Sequence, residues 1–167
     1  MNLLENPSFN DGYHHQDNVP ELVVPDGWRL HFLDGQTFPG GSDRPALRPE
    51  SVVWNKKDAP AHEKELFFLD GEFCLKIFKA QAPLYFALSQ EVTGLTPGAR
   101  YRFNAQVYPD IVRQYVNGKK VRPSDIWHAE ARAGWSDPET PWPAGHDGEI
   151  NWGTWFNVNN GNFAFGE

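Results

Sequence analysis

This chain of 167 residues is poor in the features that define several protein classes. It holds one cysteine, Cys74, so no disulfide can form within it. Cys74 sits in a strand-like run where Phe73, Leu75 and Ile77 share one face and the thiol takes the other. No His and orienting partner lie near it in sequence, as a nucleophilic cysteine needs, so it reads as a small hydrophobe. No apolar run approaches the roughly 18 residues of a membrane span, and Met1 leads into folded-looking sequence without a basic n-region or an apolar h-region. Neither a secretion signal nor a membrane anchor is visible. That pattern fits a protein kept inside its cell, one exported by another route, or a domain excised from a longer surface or extracellular chain. Positive charge is also scarce: 15 Lys and Arg stand against 22 Asp and Glu, a net charge of −7. Nonspecific binding to nucleic acid or anionic membrane is therefore not expected, because backbone phosphates require a net basic surface.

Metal and catalytic signatures are missing too. The six histidines include His14-His15, His31, His62, His128 and His146, with neither H-x3-H nor H-E-x-x-H spacing. Carboxylates such as Glu63, Asp70, Glu91, Asp125 and Glu130 are plentiful. None is singled out as one of the two that a glycosidase places about 5–10 Å apart across a cleft. Enzymatic activity is not expected.

Breakers and aromatics are abundant: 14 prolines, 15 glycines, seven Trp, five Tyr and twelve Phe. No long 3.6-residue period survives between the breakers, so helix is limited to a turn or two. A period of two recurs instead. Leu88, Gln90 and Val92 alternate on one face of a strand, and Tyr101, Phe103, Ala105 and Val107 on one face of the next, with Gly94, Pro97 and Gly98 between them. This reads as an antiparallel pair. Further strands are expected over 28–32, 51–54, 73–78, 125–135, 149–152 and from 163, with a short one near the N-terminus. Loops are expected over 13–27, 34–50 and 55–66, and Val116-Asn117-Gly118-Lys119 is a type I′ hairpin signal. Eight or nine short antiparallel strands in one domain over residues 1–167 point to an all-β, two-sheet jelly-roll sandwich.

Several motifs stand in order along the chain. Asn2-Leu3-Leu4-Glu5-Asn6-Pro7-Ser8-Phe9 opens it, followed by Val24-Pro25-Asp26-Gly27-Trp28, then Asp70-Gly71-Glu72-Phe73-Cys74-Leu75-Lys76, and finally Leu88 to Val92 with Gly98 to Phe103. Together these resemble the galactose-binding-like jelly rolls, and within them the carbohydrate-binding modules of the family 4/9/22 group. The resemblance implies a non-catalytic module that binds a glycan on a sheet face or a loop edge. It also implies a structural calcium near the N-terminus. The family's Glu after the Phe is replaced here by Asn10, followed by Asp11, so these two would be the ligands. Such domains close with a long last strand, whereas this chain stops soon after Phe163-Ala164-Phe165. The closing strand would then be lacking, or supplied by a neighbouring copy through self-association.

Sugars are recognised by aromatic planes against their C–H faces and by polar groups that pair with hydroxyls. Alternation places Arg102, Asn104, Gln106 and Tyr108 on one polar face and His128, Glu130 and Arg132 on another. Trp54, Tyr85 and Tyr108 are candidate planes. Trp28 and Trp127 fall in phase with core positions, while Trp135, Trp142, Trp152 and Trp155 lie in or near loops, where large rings mark contact surfaces. The expected glycan-binding set is Trp54, Tyr85, Gln106, Tyr108, His128, Glu130, Arg132 and Trp135. The plain alternative is a solvated outer face with cross-strand charge pairs such as Glu130 with Arg102. A second functional class, a structural or decoration module on a virion or multi-protein surface, would use the same fold for protein contacts. The basic residues Arg113, Lys119, Lys120 and Arg122 read as a solvated hairpin tip.

Overall fold

The computed structural model describes residues 2–38, 43–121, 129–141, 149–153, 156–157 and 163–164. These are all-β apart from one short α-helix and two single 3-10 turns. No helix among them is long and apolar enough to cross a membrane. The chain divides into two compact units, residues 1–97 with 137–149, and residues 98–136 with 150–167.

The first unit contains β1 (Tyr13–His15), β2 (Val23–Pro25), β3 (Arg29–Phe32), β4 (Glu50–Asn55), the helix α1 (Ala61–Phe67), β5 (Phe73–Phe78) and β6 (Phe86–Ser89). Three antiparallel pairs form: β1 with β2, β3 with β6, and β4 with β5. Side-chain alternation decides which face each pair buries. On β3 and β6, Leu30 lies opposite Leu88, while Arg29 and His31 face the other way with Ser89 and Ala87. On β4 and β5, Ser51 and Val53 are buried, and Ile77, opposite Ser51, packs on the core. Val52, Trp54, Lys76 and Phe78 take the outer face. Leu22, Val24 and Leu30 form the core, with Val19, Phe32 and Ile77 packed against them.

Two side-chain amides substitute for strand neighbours. Buried Gln16 donates from Nε2 to the Leu30 carbonyl at 2.8 Å and accepts from the Leu30 N–H at 2.8 Å. Gln90 does the same for Glu5, accepting from its N–H at 2.8 Å and donating to its carbonyl at 2.9 Å, with a further bond to the Gly27 carbonyl. The Trp28 indole N–H reaches the Glu5 and Asn6 carbonyls, and Phe9 meets the indole edge-on at 5.7 Å. Thus the N-terminal segment, expected to hold a strand, is tied down by side chains instead.

The second unit contains β7 (Gln106–Val107), β8 (Gln114–Val116), β9 (Lys119–Val121), β10 (Glu130–Ala131), β11 (Gly134–Trp135), β12 (Asn151–Trp152), β13 (Phe156–Asn157) and β14 (Phe163–Ala164). The pairs are β7 with β14, β8 with β9, β10 with β13, and β11 with β12. The hairpin expected at Asn117-Gly118 is present. Both residues take positive φ, 50° and 77°, as a type I′ turn requires.

Three expectations change. The strand at Leu88 pairs with β3 rather than with the Tyr101 segment, of which only Gln106–Val107 is strand. Residues 13–27 hold β1 and β2 rather than loop alone, because the His15–Val23 register is closed by Gln16 and its bond to the Leu22 carbonyl. The charged segment 55–66 carries most of α1, whose Ala, Glu, Lys and Leu content favours helix between Pro60 and Gly71. The expected strand at 125–135 lies partly outside the described residues, as does Trp127.

Candidate functional site

The expected glycan-binding residues divide between the units. Trp54 and Tyr85 belong to the first; Gln106, Tyr108, Glu130, Arg132 and Trp135 belong to the second. His128 lies outside the described residues, as do Trp142 and Trp155.

Trp54 and Tyr85 are engaged in packing. The Trp54 ring lies 5.5 Å from Phe68 and 6.2 Å from Phe67, and the Lys76 ammonium stands 5.2 Å from its centroid. Tyr85 is half-buried against Phe38 at 4.9 Å. Both rings are half-buried, and for Trp54 one reason is α1, which carries Phe67 onto the outer face of β4. Gln106 is exposed on β7 opposite Ala164, with half-buried Tyr108 just beyond it, while Glu130 lies opposite Asn157 on β10. The two polar segments are therefore held by different partner strands, and no ion pair joins Glu130 to Arg102 among the described residues.

Arg132, Gly134, Trp135, Asn151 and Trp152 do come together, on and beside β11 and β12. Gly134 lies opposite Trp152, and a Cβ on Gly134 would stand 2.5 Å from the indole. Only glycine allows the ring to lie across that strand, a cross-strand arrangement that shields a glycine backbone. The Arg132 guanidinium stacks on the same indole, 3.8 Å from its centroid. This cation–π contact contributes about 0.5–2 kcal/mol. The Gly153 N–H donates to the Ala133 carbonyl at 2.8 Å and extends the ladder. Trp135 lies opposite Asn151, so both side chains project from the other face. Trp135 is 71 % exposed. One face of this ribbon is thus a locked Arg132–Trp152 stack, and the other offers an open indole beside a carboxamide. Asn151 was not among the expected residues. Its signal is the alternation of Ile150, Asn151 and Trp152, which puts it on the face away from the stack.

The N-terminal turn is the expected metal site. Calcium takes about six to eight oxygen ligands. Asn10 and Asp11 are exposed here, and the Asp11 backbone N–H donates to Asn6 Oδ1 at 2.9 Å. The nearby carbonyls of Gly12 and Asp26 both accept from Asn6 Nδ2, at 3.0 and 3.3 Å, and the Asp26 carboxylate accepts from His14 Nδ1 at 2.8 Å. These oxygens thus already accept hydrogen bonds from an amide and an imidazole. No group of three His, Cys, Asp or Glu side chains converges among the described residues.

Two titratable groups have shifted proton affinities. Burial pushes the Cys74 thiol up to about 11, opposed by the Lys76 ammonium. Alkylation at pH 8 should accordingly run roughly 100-fold slower in the folded protein than in urea, since the thiolate is the reactive form; equal rates would place the thiol in solvent. His31, hydrogen-bonded to Ser89 Oγ at 2.8 Å, has its pKa lowered by burial and by the nearby Arg29 charge. The unfolded chain then binds the proton more readily. Stability attributable to His31 is full above its ordinary pKa of 6.5 and is lost as pH falls through the lowered folded value. A His31→Asn variant should show a smaller drop in melting temperature between pH 7.5 and 5.5 than the wild type. An identical drop would show that His31 does not carry this dependence.

Compared with protein-family models, curated proteins and solved structures, the chain matches none.

Proposed function

We propose that this chain is a non-catalytic carbohydrate-binding module, built on a two-sheet β-sandwich, that holds a glycan against the Trp135–Asn151 face of β11 and β12. The observation carrying this reading is the 71 % exposed indole of Trp135 on a paired strand. A solvated tryptophan of this kind forgoes the burial that normally stabilises its large apolar ring. Stacking on the C–H face of a pyranose would cover it, and the Asn151 carboxamide beside it offers one acceptor and two donors to neighbouring hydroxyls. Arg132 and Trp152 act as positioning residues from the opposite face, holding the ribbon that presents Trp135. The motifs that stand in order from Asn2 to Phe103, which resemble those of carbohydrate-binding modules, support the same reading. The reading does not require calcium at Asn10 and Asp11, where Asn6 Nδ2 already donates to the Gly12 and Asp26 carbonyls.

A glycan-array screen of the intact chain, in calcium and in chelator, tests the proposal. A reproducible ligand should bind equally in both. Trp135→Ala should weaken that ligand about 30-fold or more, as expected for an interface hot spot of about 2 kcal/mol. Its melting temperature should barely change, because the ring is exposed. An array without any ligand would overturn the proposal.

A further inference from the structure

The charge of this chain is unevenly placed. The first unit carries eight Lys and Arg against 18 Asp and Glu, net −10; the second carries seven against four, net +3. Within the second unit, the β8–β9 hairpin has three cations and no acid between Arg113 and Val121. Every residue from 113 to 120 is exposed. The ladder is nonetheless well formed, with the Arg113 N–H donating to the Val121 carbonyl at 2.9 Å beyond the three paired positions. Tyr115 is 63 % exposed and lies opposite Lys120. Arg113, immediately before β8 and two residues from Tyr115, continues the ladder through its bond to Val121 and so falls on the same face by alternation. Lys120 Nζ donates to Asp110 Oδ2, whereas Arg113 has no ion-pair partner among the described residues.

From this arrangement we infer that the Tyr115–Arg113 face of the hairpin is a subsite for an acidic sugar unit, one bearing a carboxylate or a sulfate. The inference rests on the glycan-binding reading and specifies its ligand class. Residues two apart on a strand are separated by about 6.6 Å. That spacing suits a pyranose ring on the phenol plane with its exocyclic anionic group at the guanidinium. Arginine is the side chain matched to such a group, because its planar N–H pairs engage carboxylate or sulfate oxygens two at a time. The acidic remainder of the chain repels polyanions, so the attraction is confined to this unit and falls with salt.

The test compares binding of the full chain to polygalacturonate, a sulfated glycosaminoglycan and a neutral galactan, at 50 and 500 mM salt. Acidic glycan should bind at least about tenfold tighter than neutral at low salt, the contribution of one charged bidentate contact, and the margin should shrink at high salt. The first two polymers separate carboxylate from sulfate as the anionic group. Arg113→Gln should remove the preference while leaving neutral binding unchanged, and Tyr115→Ala should weaken acidic binding. Both positions are solvent-facing, so the circular dichroism spectrum and melting temperature should hold. Equal binding of acidic and neutral polymers, or a preference that survives Arg113→Gln, would overturn this inference and leave the glycan reading standing. Failure of all three polymers together with a blank array would overturn both. Low-salt self-association abolished by Arg113→Gln, without glycan binding, would make a second copy the hairpin's partner and also overturn it.

Discussion

Asn6→Leu should destabilise the first unit by about 3–5 kcal/mol, read from urea unfolding. Asn6 is 5 % exposed and sits at φ 44°, in the left-handed region that asparagine tolerates and leucine does not. Its amide donates to the Gly12 and Asp26 carbonyls and accepts from the Asp11 N–H. Its own carbonyl accepts from the Phe9 N–H and the Trp28 indole, both at 3.2 Å. Leucine would leave the Asp26 carbonyl and the Asp11 N–H without their partner, at about 1–3 kcal/mol for each group that water cannot reach. It would also strip one of two bonds from the Gly12 carbonyl, which keeps the Asp26 N–H at 3.1 Å; left-handed strain adds about 1–2 kcal/mol. Asn6→Asp makes the assignment specific. It keeps the acceptor and tolerates the backbone but cannot donate, so its loss should fall between wild type and Asn6→Leu. A loss below about 1 kcal/mol in the leucine variant would mean that this clasp does not hold the N-terminal segment.

Leu30→Ala should cost about 3–4 kcal/mol. Leu30 is 1 % exposed at the centre of the core formed with Leu22 and Val24. Truncating a leucine in such a place removes its transfer free energy and leaves a cavity, about 2–5 kcal/mol in all. Relaxation into the cavity is restricted, because Gln16 grips both the N–H and the carbonyl of the same residue. Val52→Ala, on the outer face of the neighbouring β4–β5 pair, should change stability by less than about 1 kcal/mol, since Val52 is 37 % exposed. Similar losses for the two variants would contradict the assignment of faces.

Local pattern was enough for several features. The alternation in Phe73–Phe78 put Phe73, Leu75 and Ile77 on the face opposite Cys74, and the structure follows that division. The Asn117-Gly118 dipeptide specified its turn by φ preference alone, and the shortage of uninterrupted helical periods specified an all-β chain. The place of Trp135 beside a breaker-rich loop was also legible, although its 71 % exposure was not.

The rest depended on residues far apart along the chain. Period-two alternation assigns faces but not partners, so the strand at Leu88 could be paired with its sequence neighbour or with β3, and in the fold Leu88 lies opposite Leu30 on β3. Gln90 and Glu5 are 85 residues apart, and Gln16 and Leu30 are 14 apart. Nothing local distinguishes these glutamines from solvated ones; they become structural only when folding brings to their amides a backbone group with no strand beside it. Trp54 shows the same dependence, since its contacts with Phe67 and Phe68 follow from the placement of α1 and not from any local pattern. The class of fold, the faces of the clearest strands and one turn were legible along the chain, because they follow from neighbours one to three residues away. Which strands pair, which amides are buried and which tryptophan stands open were decided only by the tertiary structure, because each depends on contacts that exist only once distant segments meet.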